Sequence, residues 1–259
     1  MSCTLPFGNE SCDYNVPHRT IKQSGATVQP APATREMSTM THSFDKKYWD
    51  EIWHGDRATA MAAGAPNPHL THEVAGLTPG TALDAGCGGG TEAVWLATRG
   101  WQVTGADIAA EALARAADRA AQAGIAAQVR WVEADLSTWE PEARYDLVTT
   151  HYAHPAIPQL DFYRRIADWV APGGMLFIVG HLHHDHHGGA ASHDAGHGHH
   201  DTDGSPPESA SVRAADITAQ LDPTEWDIST ARETHRSMTG PDGRDVQLHD
   251  VVVAAVRRR

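Results

Sequence analysis

Leu83-Asp84-Ala85-Gly86-Cys87-Gly88-Gly89-Gly90-Thr91 is the stretch whose reading decides the fold. Before it, Thr81-Ala82-Leu83 is short and apolar enough for a buried strand; after it, Glu92 to Arg99 reads as a helix stopped at Gly100. Strand, glycine turn and helix together aim backbone N–H groups at a ligand at the carboxyl edge of a sheet. The glycines let the backbone turn sharply and approach that ligand without a Cβ in the way. The spacing is G-x-G-x-G, whereas the dinucleotide fingerprint is G-x-G-x-x-G. Asp84, just before the first glycine, suits a cationic group rather than a pyrophosphate.

Downstream the chain advances in regular βα steps. Trp101 to Ala106 reads as a strand ending at Asp107, and Ala109 to Ala123 as an alanine-rich helix closed by Gly124. Gln128 to Glu133 is a third strand, ending at Asp135, and Tyr145 to Thr150 a fourth, ending near His151. A helix with Leu160, Tyr163, Ile166 and Val170 on one stripe follows, broken by Pro172-Gly173-Gly174. Met175 to Gly180 is a fifth, apolar strand, typical of a sheet covered on both faces. Val212 to Leu221 reads as a helix, and Trp226 to Glu233 and Val246 to Val256 as two strands joined by a turn at Gly240-Pro241-Asp242-Gly243. The implied fold is α/β: a doubly wound, mostly parallel, seven-stranded Rossmann-like sheet with a closing antiparallel strand pair.

Upstream of the glycine stretch, Phe44, Tyr48 and Ile52 fall at i, i+4 and i+8 after Ser43, a candidate N-cap, with Trp49 and Trp53 beside them. These aromatics serve either as core packing or as a lid over a site. Asn67 can cap a further helix that begins with Pro68 and runs to about Leu77.

On LDAGCGGG, the acidic strand ends and the closing strand pair, the chain resembles the class I S-adenosylmethionine (SAM)-dependent methyltransferases over roughly residues 44 to 259, apart from a histidine-rich segment. Within them it is most similar to the small-molecule branch of tellurite-resistance and thiopurine-type enzymes, whose YWDE-like N-terminal segment helps close the site. The resemblance implies SAM as cofactor. It places the methionine part against Asp84, Gly86, Cys87, Gly88 and Gly90, and the ribose hydroxyls on Asp107. It puts adenine between Ile108 and Leu136, with its amino group on Asp135. His151 could touch the cofactor through its backbone, while Tyr152 or His154 could face the methyl acceptor. His54 is a further catalytic candidate. For each of these histidines the competing reading is a hydrogen-bonded loop residue. The implied reaction is methyl transfer to a small acceptor, such as a thiol, a metalloid or a similar soft nucleophile. A nicotinamide-dependent oxidoreductase and a non-enzymatic metal-binding protein on a degenerate methyltransferase fold are the alternatives.

Composition narrows the partners. A formal net charge of −13, with the only basic run at Arg257-Arg258-Arg259, argues against a nucleic-acid surface. No apolar run is long enough to span a membrane and no secretory signal is legible, so a cytoplasmic protein is expected. Cys3, Cys12 and Cys87 have no framework spacing, and Cys87 should pack as a small apolar group. Residues 1–42, rich in Ser, Thr, Pro and Gln, read as a disordered tail before a methyltransferase domain at 43–259. A flexible insertion at 182–209 interrupts that domain; with His181 it carries half of the chain's histidines. Divalent metal binding by this loop is expected to be adventitious, and no catalytic metal is expected.

Overall fold

The first strand, β1 (Thr81–Ala85), is exposed only at Thr81, as its apolar composition requires. In the computed structural model, which describes residues 44–54, 58, 64–182, 211–239 and 245–259, β1 is an inner strand of a seven-stranded sheet. The expected tail at 1–42, the Ser43 cap, residues 183–209 of the insertion and the 240–243 turn lie outside the described residues. All described residues fall in one unit, Thr41–Arg259.

The remaining strands are β2 (Gln102–Asp107), β3 (Val129–Glu133), β4 (Tyr145–His151), β5 (Val170–His181), β6 (Trp226–Thr239) and β7 (Asp245–Arg257). Their order is β3-β2-β1-β4-β5-β7-β6. The first five pair in parallel, and β7 runs antiparallel to both β5 and β6. Strand order reverses between β1 and β4, so a crevice opens at their carboxyl ends. Among the described residues six helices accompany the sheet: α1 (Lys46–His54), α2 (Pro68–Glu73), α3 (Thr91–Ala97), α4 (Ala110–Gln122), α5 (Gln159–Ala167) and α6 (Ala214–Thr218). β5 is buried on both faces: Leu176 and Ile178 join the core with Phe162 and Ile166, while Phe177 and Val179 join the core with Leu96 and Trp101. The expected sheet, including its closing antiparallel pair, is the observed one. No described helix is long and apolar enough to cross a membrane.

Three local expectations are corrected. Val170 belongs to β5 and not to the preceding helix, because it pairs with Tyr145 across the sheet while α5 ends at Ala167. Pro172-Gly173-Gly174 therefore lies within the strand. At Gly174 a Cβ would stand 2.9 Å from the carbonyl oxygens of Tyr145, Asp146 and Ala171, so glycine admits this close backbone approach. Secondly, Asp45, whose Oδ1 accepts from Tyr48 N at 3.0 Å, is the cap of α1. That phase buries Trp53 and leaves Tyr48 and Ile52 only partly covered. The Asn67 cap is as expected, its side chain accepting from His69 N at 2.9 Å, although α2 stops at Glu73 rather than near Leu77.

Candidate active site

The glycine turn is stapled to the neighbouring strand. Gly86 N and Cys87 N both donate to Ala106 O, at 2.8 and 3.1 Å. Gly86 has φ +79°, and a Cβ there would lie 2.3 Å from that of Ala153, so only glycine lets β1 turn beneath the loop after β4. Asp107, at the end of β2, accepts from Gly88 N through Oδ2 (2.8 Å) and from Ala109 N through Oδ1 (2.9 Å). One carboxylate thus sets both the glycine turn and the start of α4. Burial raises its pKa above the ordinary 3.8. Asp135, after β3, gives Oδ1 to the backbone N–H and hydroxyl of Ser137 and has Oδ2 available.

These strand ends surround a cavity of about 300 Å³, lined among others by Asp84, Gly86, Cys87, Gly88, Glu92, Asp107, Ile108, Asp135, Leu136, His151, Tyr152 and His154. Its floor is acidic. Asp84 is 1% exposed and its Oδ2 has no hydrogen-bond partner; His151 Nδ1, 3.8 Å from Asp84 Oδ1, is also buried without one. Glu92, on α3, accepts from Asn67 N at 3.1 Å, and burial pushes its carboxyl above the usual range. An unpartnered carboxylate oxygen in such a wall calls for a cation. Cys87 is a buried free thiol whose pKa burial pushes well up, so it serves as packing and not as a nucleophile.

α1 closes the cavity from above, with Trp49 and Trp53 in the lining. It is moored on both sides. Lys46 Nζ donates to Ile108 O (3.0 Å) and pairs with Glu133 (2.9 Å), while Trp49 Nε1 donates to His154 O (3.2 Å). Trp53 also packs on Ala58, Ala109 and Ala112, so core and lid are two faces of one element. At Gly88, φ is +49° and a Cβ would meet Trp53 at 2.9 Å. Gly88→Val should therefore abolish SAM binding and lower the ligand-free Tm by about 2–8 °C, as a β-branched residue is forced into the left-handed region. Thermal unfolding with a parallel SAM titration checks this; an unchanged Tm contradicts it.

The loop after β4 supplies the remaining wall. Tyr152 has φ +56°, and its hydroxyl donates to Asp250 Oδ1 (2.8 Å) and accepts from Arg236 Nη2 (2.9 Å) and Asn67 Nδ2 (3.3 Å). Burial pushes that hydroxyl's pKa far up. It is a clamped group in the cavity wall. His54 lies exposed on α1, outside the cavity, beside Asp50 O (2.6 Å) and Glu111 (3.5 Å). Gly90 is not a lining residue; at φ +73° it caps α3 where a Cβ would strike Ala116 and Trp131 at 2.7 Å. Sequence reasoning missed Glu92, Asn67, Gln159, Arg236 and Asp250. Of these, only Glu92 and Gln159 sit near the motifs, one beside the glycine turn and one five residues beyond His154.

Residues 82–174 match the family described as Methyltransferase domain. Thiocyanate methyltransferase 1 of Arabidopsis thaliana is 29% identical over 174 residues, covering 65% of this chain and 75% of that protein. Probable thiol methyltransferase 2 of the same plant is 29% identical over 137 residues, covering 51% of this chain and 60% of that one. Magnesium protoporphyrin IX methyltransferase from Synechocystis PCC 6803, solved with bound SAM, shares the fold with a TM-score of 0.57 at 17% identity, over 85% of this chain and 99% of that one. In its domain match, its relatives and its fold, the chain is similar to the class I SAM-dependent methyltransferases. The residues present fit SAM: the unpartnered Asp84 oxygen suits a cationic group, and Asp107 and Asp135 offer further acceptor capacity at successive strand ends. Among the described residues, no group of three or more His, Cys, Asp or Glu side chains is placed to hold a metal ion.

Proposed function

We propose that the enzyme methylates a small, soft nucleophile of the thiol or thiocyanate kind. The observation that carries this reading is the cavity itself: aromatic rings from Phe44, Trp49, Trp53, Tyr152 and His154 line it, and among the described residues no Lys or Arg does. Such a wall suits a compact, polarizable acceptor and offers nothing to a nucleic-acid backbone. The similarity to plant proteins named for thiocyanate and thiol methylation supports the same class.

In this proposal Asp84, Gly86, Cys87 and Gly88 hold the methionine end of SAM and Asp107 the ribose. Ile108, Leu136 and Asp135 hold the adenine, and His151 lies beside the methionine carboxylate and sulfonium. SAM supplies an activated methyl group on a good leaving group. The chain's own task is to align the acceptor and exclude water, and alignment alone is worth roughly 7–11 kcal/mol of barrier. A cytoplasmic location belongs to the same proposal. The test is a methyl-transfer screen with radiolabelled SAM against thiols, thiocyanate, tellurite, amines and phenols. Turnover should be highest with the sulfur nucleophiles; turnover confined to amines or phenols overturns the acceptor class.

A further inference from the structure

His154 is buried, 7% exposed, and its two ring nitrogens have different fates. Nδ1 lies 3.3 Å from Gln159 Oε1, at the start of α5. Gln159 Nε2 donates to Ala153 O at 3.0 Å, and a carbonyl oxygen can only accept, so the amide orientation is fixed with Oε1 toward the imidazole. His154 Nδ1 must therefore carry the proton. Nε2, on nearly the opposite side of the ring, is left with a bare lone pair, and it is buried without a hydrogen-bond partner. An unsatisfied buried acceptor of this kind is uncommon, and here it belongs to a residue lining the cavity.

We propose that His154 Nε2 is the general base of methyl transfer, that Gln159 is the positioning residue that fixes its tautomer, and that the natural acceptor arrives protonated, as a thiol. This rests on the soft-nucleophile reading above and narrows it. The S–H bond breaks toward Nε2 while the acceptor sulfur forms its bond to the methyl carbon. The electron pair of the breaking C–S bond returns to the sulfonium sulfur. The imidazolium that results keeps its Nδ1–H on Gln159 and releases the Nε2 proton to solvent as the product leaves.

The surroundings suit a base that stays neutral between turnovers. Burial lowers the pKa of His154 below 6.5, and the Gln159 contact opposes this more weakly. Phe44 (5.7 Å between rings) and Trp49 approach from the α1 side, His181 of β5 stacks at 5.5 Å, and Gln159 comes from α5. Tyr152 stacks on His181, and the Asp250 and Arg236 charges are spent on its hydroxyl and on each other.

The experiment compares 2-mercaptoethanol with iodide, a soft acceptor that has no proton to lose, using labelled SAM. His154→Asn should lose at least 100-fold in kcat/KM with the thiol, and at least tenfold more than it loses with iodide. The wild-type thiol profile should fall on an acidic limb below pH 6.5, and the iodide profile should show no such limb. Gln159→Leu should lower thiol turnover and shift that limb while leaving SAM affinity in place. On the wild-type protein, ¹⁵N NMR should show the His154 Nδ1–H tautomer, a readout that requires no variant to fold. Equal losses on both acceptors, or an Nε2–H tautomer, overturn the role of His154. A wild-type enzyme that methylates neither acceptor overturns the soft-nucleophile reading itself.

Discussion

Asp107→Ala should reduce SAM affinity by at least 100-fold and also weaken the ligand-free protein. The carboxylate already accepts from Gly88 N and Ala109 N, so its removal leaves two N–H donors unpaired, that of Ala109 buried, and frees the glycine turn. Bonds to a charged acceptor are worth about 1.5–3 kcal/mol each. Losing two ribose contacts of that strength accounts for the fall in affinity, and losing the two backbone contacts lowers Tm. Asp107→Asn keeps the shape but aims an amide donor at one of the same N–H groups, so it should bind SAM nearly as poorly. Calorimetry gives the affinity and thermal unfolding without SAM gives the stability. SAM binding within threefold of wild type would remove Asp107 from the site.

The second large effect is expected at Asp250. This carboxylate is fully buried on β7, with Arg236 Nε at 2.6 Å, His69 Nε2 at 3.3 Å and the Tyr152 hydroxyl at 2.8 Å. Asp250→Ala strands a guanidinium in a partly buried site and releases the hydroxyl that holds Tyr152 at its positive φ. Breaking one side of a buried ion pair costs about 3–5 kcal/mol. For a domain of this size that lowers Tm by roughly 6–20 °C. Because Tyr152 is flanked by His151 and Ala153 in the cavity wall, KM for the acceptor should rise more than Kd for SAM. A Tm within 2 °C of wild type would show that the network contributes no stability.

The parts of this enzyme legible in the sequence are those in which chemistry follows the chain. Asp84, Asp107 and Asp135 end successive strands, so reading the strands places the acids, and the sheet's carboxyl edge collects them. The Asp250 network was not legible, because it joins Asn67, His69, Tyr152, Arg236 and Asp250 across an antiparallel pair whose register no local pattern declares. The phase of α1 was ambiguous for a different reason. Phe44, Tyr48 and Ile52 share one spacing, Trp49 and Trp53 share the same one, and only the Asp45 cap and burial choose between them. Val170 fitted a helical stripe by period, yet the sheet claimed it through its pairing with Tyr145. Gln159 is near His154 in sequence, but its role follows only from the Ala153 carbonyl that orients its amide.

The most direct test of the account is calorimetric titration of the purified protein with SAM and, separately, with NADH. The unpartnered Asp84 oxygen, the G-x-G-x-G turn and the three acidic strand ends predict saturable one-to-one binding of SAM, lost in Asp107→Ala, and no heat of binding from NADH. Saturable binding of NADH with none of SAM would contradict it.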